Sequence, residues 1–278
     1  MREGTPLLDL LVTGVDELLD LTDRAAGSVR GARALVSDDD LAAVDARHRE
    51  EDARRTLAGR VALRLLAGAG AAATLPELAA LPIDRTCARC GAQHGRPTLH
   101  GQSLSSSTSG GLVAVASAAP EASVGVDVEA ARALWEGFDA YALHPRERDD
   151  RPGAPTTALD RLGVWTEKEA LLKAAGVGLG IAPSRLLLGG LGEARRWQAA
   201  RAGARWRALE AWSDPRVEGL WSTPVAVPGE ARAALAAATP LPVRRRTVPE
   251  PAAARGAAGR AAARRLRRRC HAPPRPVG

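Results

Sequence analysis

The sequence predicts an α+β protein built from two similar halves, and three observations carry that prediction. A long helical pattern at 41–66 precedes a short apolar strand at 112–116, and a second helical pattern around 164–175 precedes strand-like runs at 205–212 and 220–227. A Pro- and Arg-rich stretch at 145–157 and the turn Ser213-Asp214-Pro215 punctuate these elements. With 278 residues, 45% of them hydrophobic, the chain can bury a sizeable core as one large domain or two small ones. The division that follows is an N-terminal half at 1–118, a C-terminal half at 119–243, and a basic tail at 244–278.

The net charge of +7 is unevenly placed. Residues 244–278 hold eleven Arg against one Glu, whereas residues 1–243 hold 28 basic and 31 acidic side chains, a net of −3. The folded part is therefore mildly acidic, which argues against nucleic-acid binding as its main function. The tail has few large apolar residues and reads as disordered; any contact it makes with nucleic acid would be non-specific. Three cysteines are too few for a disulfide framework. Early acids (Glu3, Asp9, Asp16, Glu17) do not resemble a signal peptide, and no apolar run is long enough to span a bilayer. A cytoplasmic protein without a membrane partner is expected.

Residues 1–35 read as a strand and a helix. Ser37-Asp38-Asp39-Asp40 then caps the helical region 41–66, its acids placed to favour the N-terminal dipole. Within that region Leu57, Val61 and Leu65 fall on one side and arginines on the other, a face that is ordinarily solvated but that a phosphate-rich ligand could use. Cys87-Ala88-Arg89-Cys90-Gly91 has the look of half a zinc site, with His94 and His100 nearby. The usual second ligand pair is absent, so the segment reads as a tight turn with two free thiols. His94-Gly95-Arg96-Pro97 follows as a loop suited to a phosphate. The run 103–111, rich in Ser and Gly, reads as a hydroxyl-lined turn whose donors also suit phosphate oxygens.

Ser123-Val124-Gly125-Val126-Asp127-Val128-Glu129 alternates as a strand, with the valines on one face and Asp127 and Glu129 on the other. At ~3.3 Å per residue the two carboxylates stand ~6–7 Å apart and point the same way. That is close enough to share a hard cation such as Mg²⁺ with waters and phosphate oxygens. An exposed strand face would give the same pattern.

Only two residues of the chain are lysine, Lys168 and Lys173, and both fall in the stretch 164–179. Lysine is a compact charge whose pKa moves readily, whereas the guanidinium is a fixed, permanently charged fork. The stretch reads as a helix in which Trp165, Glu169 and Leu172 recur, Thr166 can cap, and Gly176 and Gly178 mark the stop. Glu169 and Lys173 share a face as i, i+4 neighbours, and Lys168 lies ~100° round from Glu169. An ordinary surface pair of this kind is worth only ~0.3–0.5 kcal/mol.

Three pieces in this order, Gly125-Val126-Asp127-Val128-Glu129, Trp165-Thr166-Glu167-Lys168-Glu169 with Lys173, and Gly176-Val177-Gly178-Leu179, resemble the 4'-phosphopantetheinyl transferase superfamily. The likeness is to its larger single-chain class, which acts on carrier domains of peptide and polyketide synthases in secondary metabolism. It extends to 51–60, to Gly95-Arg96-Pro97 in place of Gly-Lys-Pro, and to Ser107-Thr108-Ser109-Gly110 in place of Ser-His-Ser-Gly. The resemblance implies a pseudo-twofold fold with coenzyme A in the cleft between the halves. It implies Mg²⁺ on Asp127, Glu129 and Glu169, and coenzyme A lined by Thr56, Arg96, Ser107, Thr108, Lys168 and Lys173. The implied activity is that of a holo-[acyl-carrier-protein] synthase type enzyme. It moves the phosphopantetheine arm to a serine of an apo acyl or peptidyl carrier, with Glu169 and Lys173 as catalytic groups, and acts as a monomer. Thr108 and Arg96 depart from the family pattern, and the lysines usual near the start of the first long helix have no match among Asp38, Asp39, Asp40 and Ala43; Thr108 and the missing lysines motivate an alternative, a non-catalytic member that binds coenzyme A or carrier proteins.

Overall fold

A computed structural model describes residues 6–28, 31–69, 74–87, 89–148, 154–189 and 205–248. In chain order they form β1 (Leu8–Gly14), α1 (Val15–Ala26), α2 (Asp38–Asp45), α3 (Glu50–Gly68), α4 (Leu75–Ala79), β2 (Thr98–Leu99), β3 (Gln102–Ser109), β4 (Leu112–Ala118) and β5 (Gly125–Ala130). They continue with α5 (Phe138–Ala142), α6 (Pro145–Arg148), α7 (Ala158–Ala174), β6 (Leu187–Leu188), β7 (Arg207–Ala211), β8 (Trp221–Val225), β9 (Ala231–Ala237) and β10 (Val243–Arg246).

The fold is α+β, with two five-stranded sheets ordered β10-β1-β4-β3-β2 and β5-β9-β8-β7-β6. Each sheet is covered by one long helix: α3 packs on β3 and β4, α7 on β5 and β9. The valines of β5 behave as their alternation predicts, with Val124, Val126 and Val128 fully buried in a core shared by both sheets. The expected pair at 205–227 is the antiparallel β7–β8 ladder.

The sheets meet at β3 and β5, and the serine run makes the joint. It is a strand rather than a turn. Its alternate members Ser103, Ser105, Ser107 and Ser109 all point at β5: Val124 N donates to Ser103 Oγ at 2.9 Å and Val126 N to Ser105 Oγ at 2.9 Å. Period-2 spacing places one hydroxyl opposite every second residue of β5. Buried main-chain amides of β5 thereby find partners where no ladder runs.

Other expectations are corrected. The helical region 41–66 is two helices, α2 capped by Ser37 Oγ, which accepts from Asp40 N, and α3 beginning at Glu50. The arginine face of α3 is solvated only at its start, at Arg54 and Arg55; further along, Arg64 is 1% exposed, with Asp40, Ser37 Oγ and the carbonyls of Leu78, Ala79 and Leu81 around its guanidinium. α7 starts seven residues before Trp165, capped by a box between Thr157 and Asp160, and Thr166 instead bonds back to Leu162 O deep in the core. The boundary drawn at 243/244 falls inside β10. Arg244 and Arg246 both bond to Asp9 as β10 runs parallel to β1. The rest of the tail, 249–278, lies outside the described residues. Among the described residues no helix is long and apolar enough to cross a membrane.

Candidate active site

The close approach of β5 to α7 builds the site. A Cβ on Gly125 would lie 1.9 Å from Ala170 O and 2.6 Å from Ala174 N, so only glycine lets the strand touch the helix backbone there. Two residues along the strand, Asp127 therefore stands beside the turn of α7 that carries Glu169 and Lys173.

Asp127 is 3% exposed. Its Oδ1 accepts from Lys173 Nζ at 2.6 Å and from Ser107 Oγ at 2.7 Å, while its buried Oδ2 accepts nothing among the described residues. Glu129 Oε2 accepts from Ser109 Oγ at 2.6 Å, and its Oε1 from Arg132 at 3.3 Å. Glu169 Oε1 is also buried without a donor. Burial, then the neighbouring Asp127 charge, and then Glu129 push the Glu169 carboxyl up to about 7, with Lys173 opposing the shift.

The two orphaned oxygens of Asp127 and Glu169, with Glu129 near enough for its charge to act on Glu169, give an oxygen donor set that suits a hard divalent cation. The three do not close into a tight cage, for they are absent from the groups whose ligand atoms all lie within 4.8 Å of one another. A cation that keeps several waters, as Mg²⁺ does, needs no such cage.

Of the residues expected to line coenzyme A, the structure brings Lys173 and Ser107 to the carboxylates. Thr108 follows on the same strand, its methyl against α3: a Cβ on Gly59 would meet it at 3.1 Å. Thr56 lies one turn earlier on α3, its hydroxyl bonded to Asp52 O at 2.8 Å. Arg96 reaches from the N-terminal half to the end of α7, donating to Ala174 O at 3.1 Å and to Ser103 Oγ at 3.5 Å.

Lys168 is a correction. It is fully buried, donating to Ala142 O at 2.8 Å and ion-paired with Glu147, on the side of α7 away from the carboxylates. One helix position rotates a side chain by ~100°, enough to send it from the cleft into the core. Desolvation pulls its pKa down to about 8, against the pull of Glu147. Glu167, its neighbour, is likewise buried and bonded to Arg207 and to Ser222 Oγ at 2.9 Å.

Ser109 was missed by sequence reasoning, although the alternation of 103, 105, 107 and 109 was there to be read. The three-ligand cluster Cys87, Cys90 and His94 also goes beyond the tight turn expected of that segment, while His100 stands outside it.

Residues 123–212, which begin just before β5 and end just after β7, match the family model of the 4'-phosphopantetheinyl transferase superfamily. That segment of the chain is a member of the superfamily. The match contains Asp127, Glu129, Glu169 and Lys173, so the superfamily segment and the carboxylate site coincide. Phosphopantetheine transfer is the general chemistry that this membership supports. No curated protein matches the chain.

Proposed function

We propose that this protein transfers the 4'-phosphopantetheine arm of coenzyme A to a serine hydroxyl of apo acyl or peptidyl carrier proteins, with Mg²⁺ held by Asp127, Glu129 and Glu169. The single observation behind this reading is the pair of buried, donorless oxygens, Asp127 Oδ2 and Glu169 Oε1, next to Lys173 inside the superfamily segment. The metal, when bound, would neutralise charge on the pyrophosphate.

In the reaction the carrier serine Oγ forms a bond to the pantetheine-side phosphorus. The bond from that phosphorus to the bridging oxygen breaks, and 3',5'-ADP departs. Glu169 would accept the serine proton. The Lys173 ammonium, oriented by Asp127, stabilises charge on the departing phosphate. Ser107 and Ser109 hold Asp127 and Glu129 in place, leaving Asp127 Oδ2 unengaged.

The alternative, a member that binds coenzyme A or carriers without turnover, draws on Thr108, whose methyl against Gly59 stands where the family's imidazole would reach a phosphate. Mass spectrometry of apo carriers incubated with this protein, coenzyme A and Mg²⁺ separates the two readings. The expected result is a gain of one phosphopantetheine arm, abolished by chelator. Binding of coenzyme A with no gain on acyl or peptidyl carriers would establish the alternative.

A further inference from the structure

Away from the carboxylates, the loop between α4 and β2 folds back on itself around three ligand-bearing side chains. Cys87, Cys90 and His94 offer ligand atoms that all lie within 4.8 Å of one another. His94 Nε2 stands 3.0 Å from Cys90 Sγ.

The main chain builds this cluster. Cys87 N donates to Ala92 O at 2.9 Å and Gly91 N to Cys87 O at 2.8 Å, so the chain reverses within a few residues. Gly91 turns it at φ +73°, where a Cβ is disfavoured. The amides of Arg89 and Cys90 both point at Cys87 Sγ, a surround that suits a metal-bound thiolate. On the far side Gly95 N donates to Arg85 O at 2.7 Å, and a Cβ on Gly95 would lie 3.0 Å from Cys87 Cα. Only glycine permits that approach, and it delivers His94 to the two sulfurs. Gln93 is tied from outside as well: its carbonyl accepts from Arg60 at 2.7 Å, and Arg60 pairs with Asp40 at 3.1 Å.

We propose that Cys87, Cys90 and His94 bind one zinc ion, with water in the fourth position. Two thiolates and an imidazole form a soft to borderline donor set, which selects Zn²⁺ and not the hard cation suited to the carboxylates. Zinc bonds of ~2.3 Å to sulfur and ~2.0–2.1 Å to nitrogen place tetrahedral ligands under 4 Å or so apart, a short inward movement from the present spacing. Binding releases two thiol protons to solvent and leaves a site of zero net charge with a neutral imidazole. The ion pins the loop that leads directly into Gly95-Arg96, and Arg96 donates at 3.1 Å to the carbonyl of Ala174, the residue after Lys173 at the end of α7. The bound ion would steady that contact between the halves.

The test uses the full chain, reduced and freed of metal by chelator, titrated with Co²⁺ as a spectroscopic substitute for zinc. One equivalent of Co²⁺ with thiolate-to-metal charge-transfer absorption is expected, displaced by Zn²⁺. Cys90→Ser and His94→Gln should each weaken the site by more than about tenfold, whereas Glu169→Gln should leave stoichiometry and spectrum unchanged. Circular dichroism of the metal-free variants against the metal-free parent controls for folding. A titration without thiolate absorption, or one that Cys90→Ser leaves intact, overturns the proposal whatever the chain's transferase activity proves to be.

Discussion

On one side of α7, Glu167 and Lys168 are sealed from water and matched to Arg207 and Glu147. On the other, Glu169 and Lys173 face Asp127, where two carboxylate oxygens have no donor among the described residues. The first side satisfies its polar groups: Glu147 Oε1 also takes Leu188 N at 3.2 Å, and Oε2 takes His144 N at 2.8 Å. The second leaves like charges crowded together. Acidic and basic residues of the same types, within about two turns of one helix, thus serve as structure on one face and as stored electrostatic potential on the other. The difference lies in whether their partners are complete.

Breaking the complete side should cost the most stability. Lys168→Met leaves Glu147 buried without its cation, and loss of one partner from a buried pair costs about 3–5 kcal/mol. Urea unfolding at pH 7 checks this; a loss below 1 kcal/mol or so would mean that water reaches the pair. Lys173→Met attacks the other side. Its side chain is 28% exposed while its partner Asp127 is buried, so the loss of unfolding free energy should be smaller than for Lys168→Met, about 1–2 kcal/mol. Transfer to an apo carrier should nevertheless fall by about 10²-fold, equivalent to about 3 kcal/mol of barrier. If the two lysine variants behaved alike in both assays, the division of the helix into two faces would fail.

Much of this was legible in the sequence because it is local. Alternation in β5 exposes Asp127 and Glu129 as a pair, and i, i+4 spacing joins Glu169 to Lys173. What was not legible depends on partners distant in the chain. Nothing near Lys168 announces that Glu147, in a Pro- and Arg-rich stretch, will bury against it. Arg244 and Arg246 look like a charged tail until Asp9, more than 230 residues earlier, supplies their counter-charge. The serines of β3 read as a turn because their local preference is for turns, yet here they bridge two sheets through the amides and carboxylates of β5. Spacing alone could not decide whether Cys87 and Cys90 had a third ligand; the close packing of Gly95 on Cys87 is what brings His94 in.

The smallest effect is also the one that ties stability to function. Glu169 has its carboxyl raised from 4.5 to about 7 on folding, so the folded state holds its proton more tightly than the unfolded chain does. Whatever stability this linkage contributes is present below pH 4.5 and is lost as pH rises through 7, because ionising Glu169 beside Asp127 then opposes folding. Glu169→Gln removes the titration while keeping the shape. Its unfolding free energy should match that of the parent near pH 4.5 and exceed it by about 1–2 kcal/mol at pH 8, even as transfer is lost. Mg²⁺ should raise the melting temperature of the parent at pH 8 and leave that of Glu169→Gln nearly unmoved, since the cation relieves the same repulsion that the substitution removes. A variant no more stable than its parent at pH 8 would mean that Asp127 and Glu169 do not share a field, and the division between the two faces of α7 would then rest on Lys173 alone.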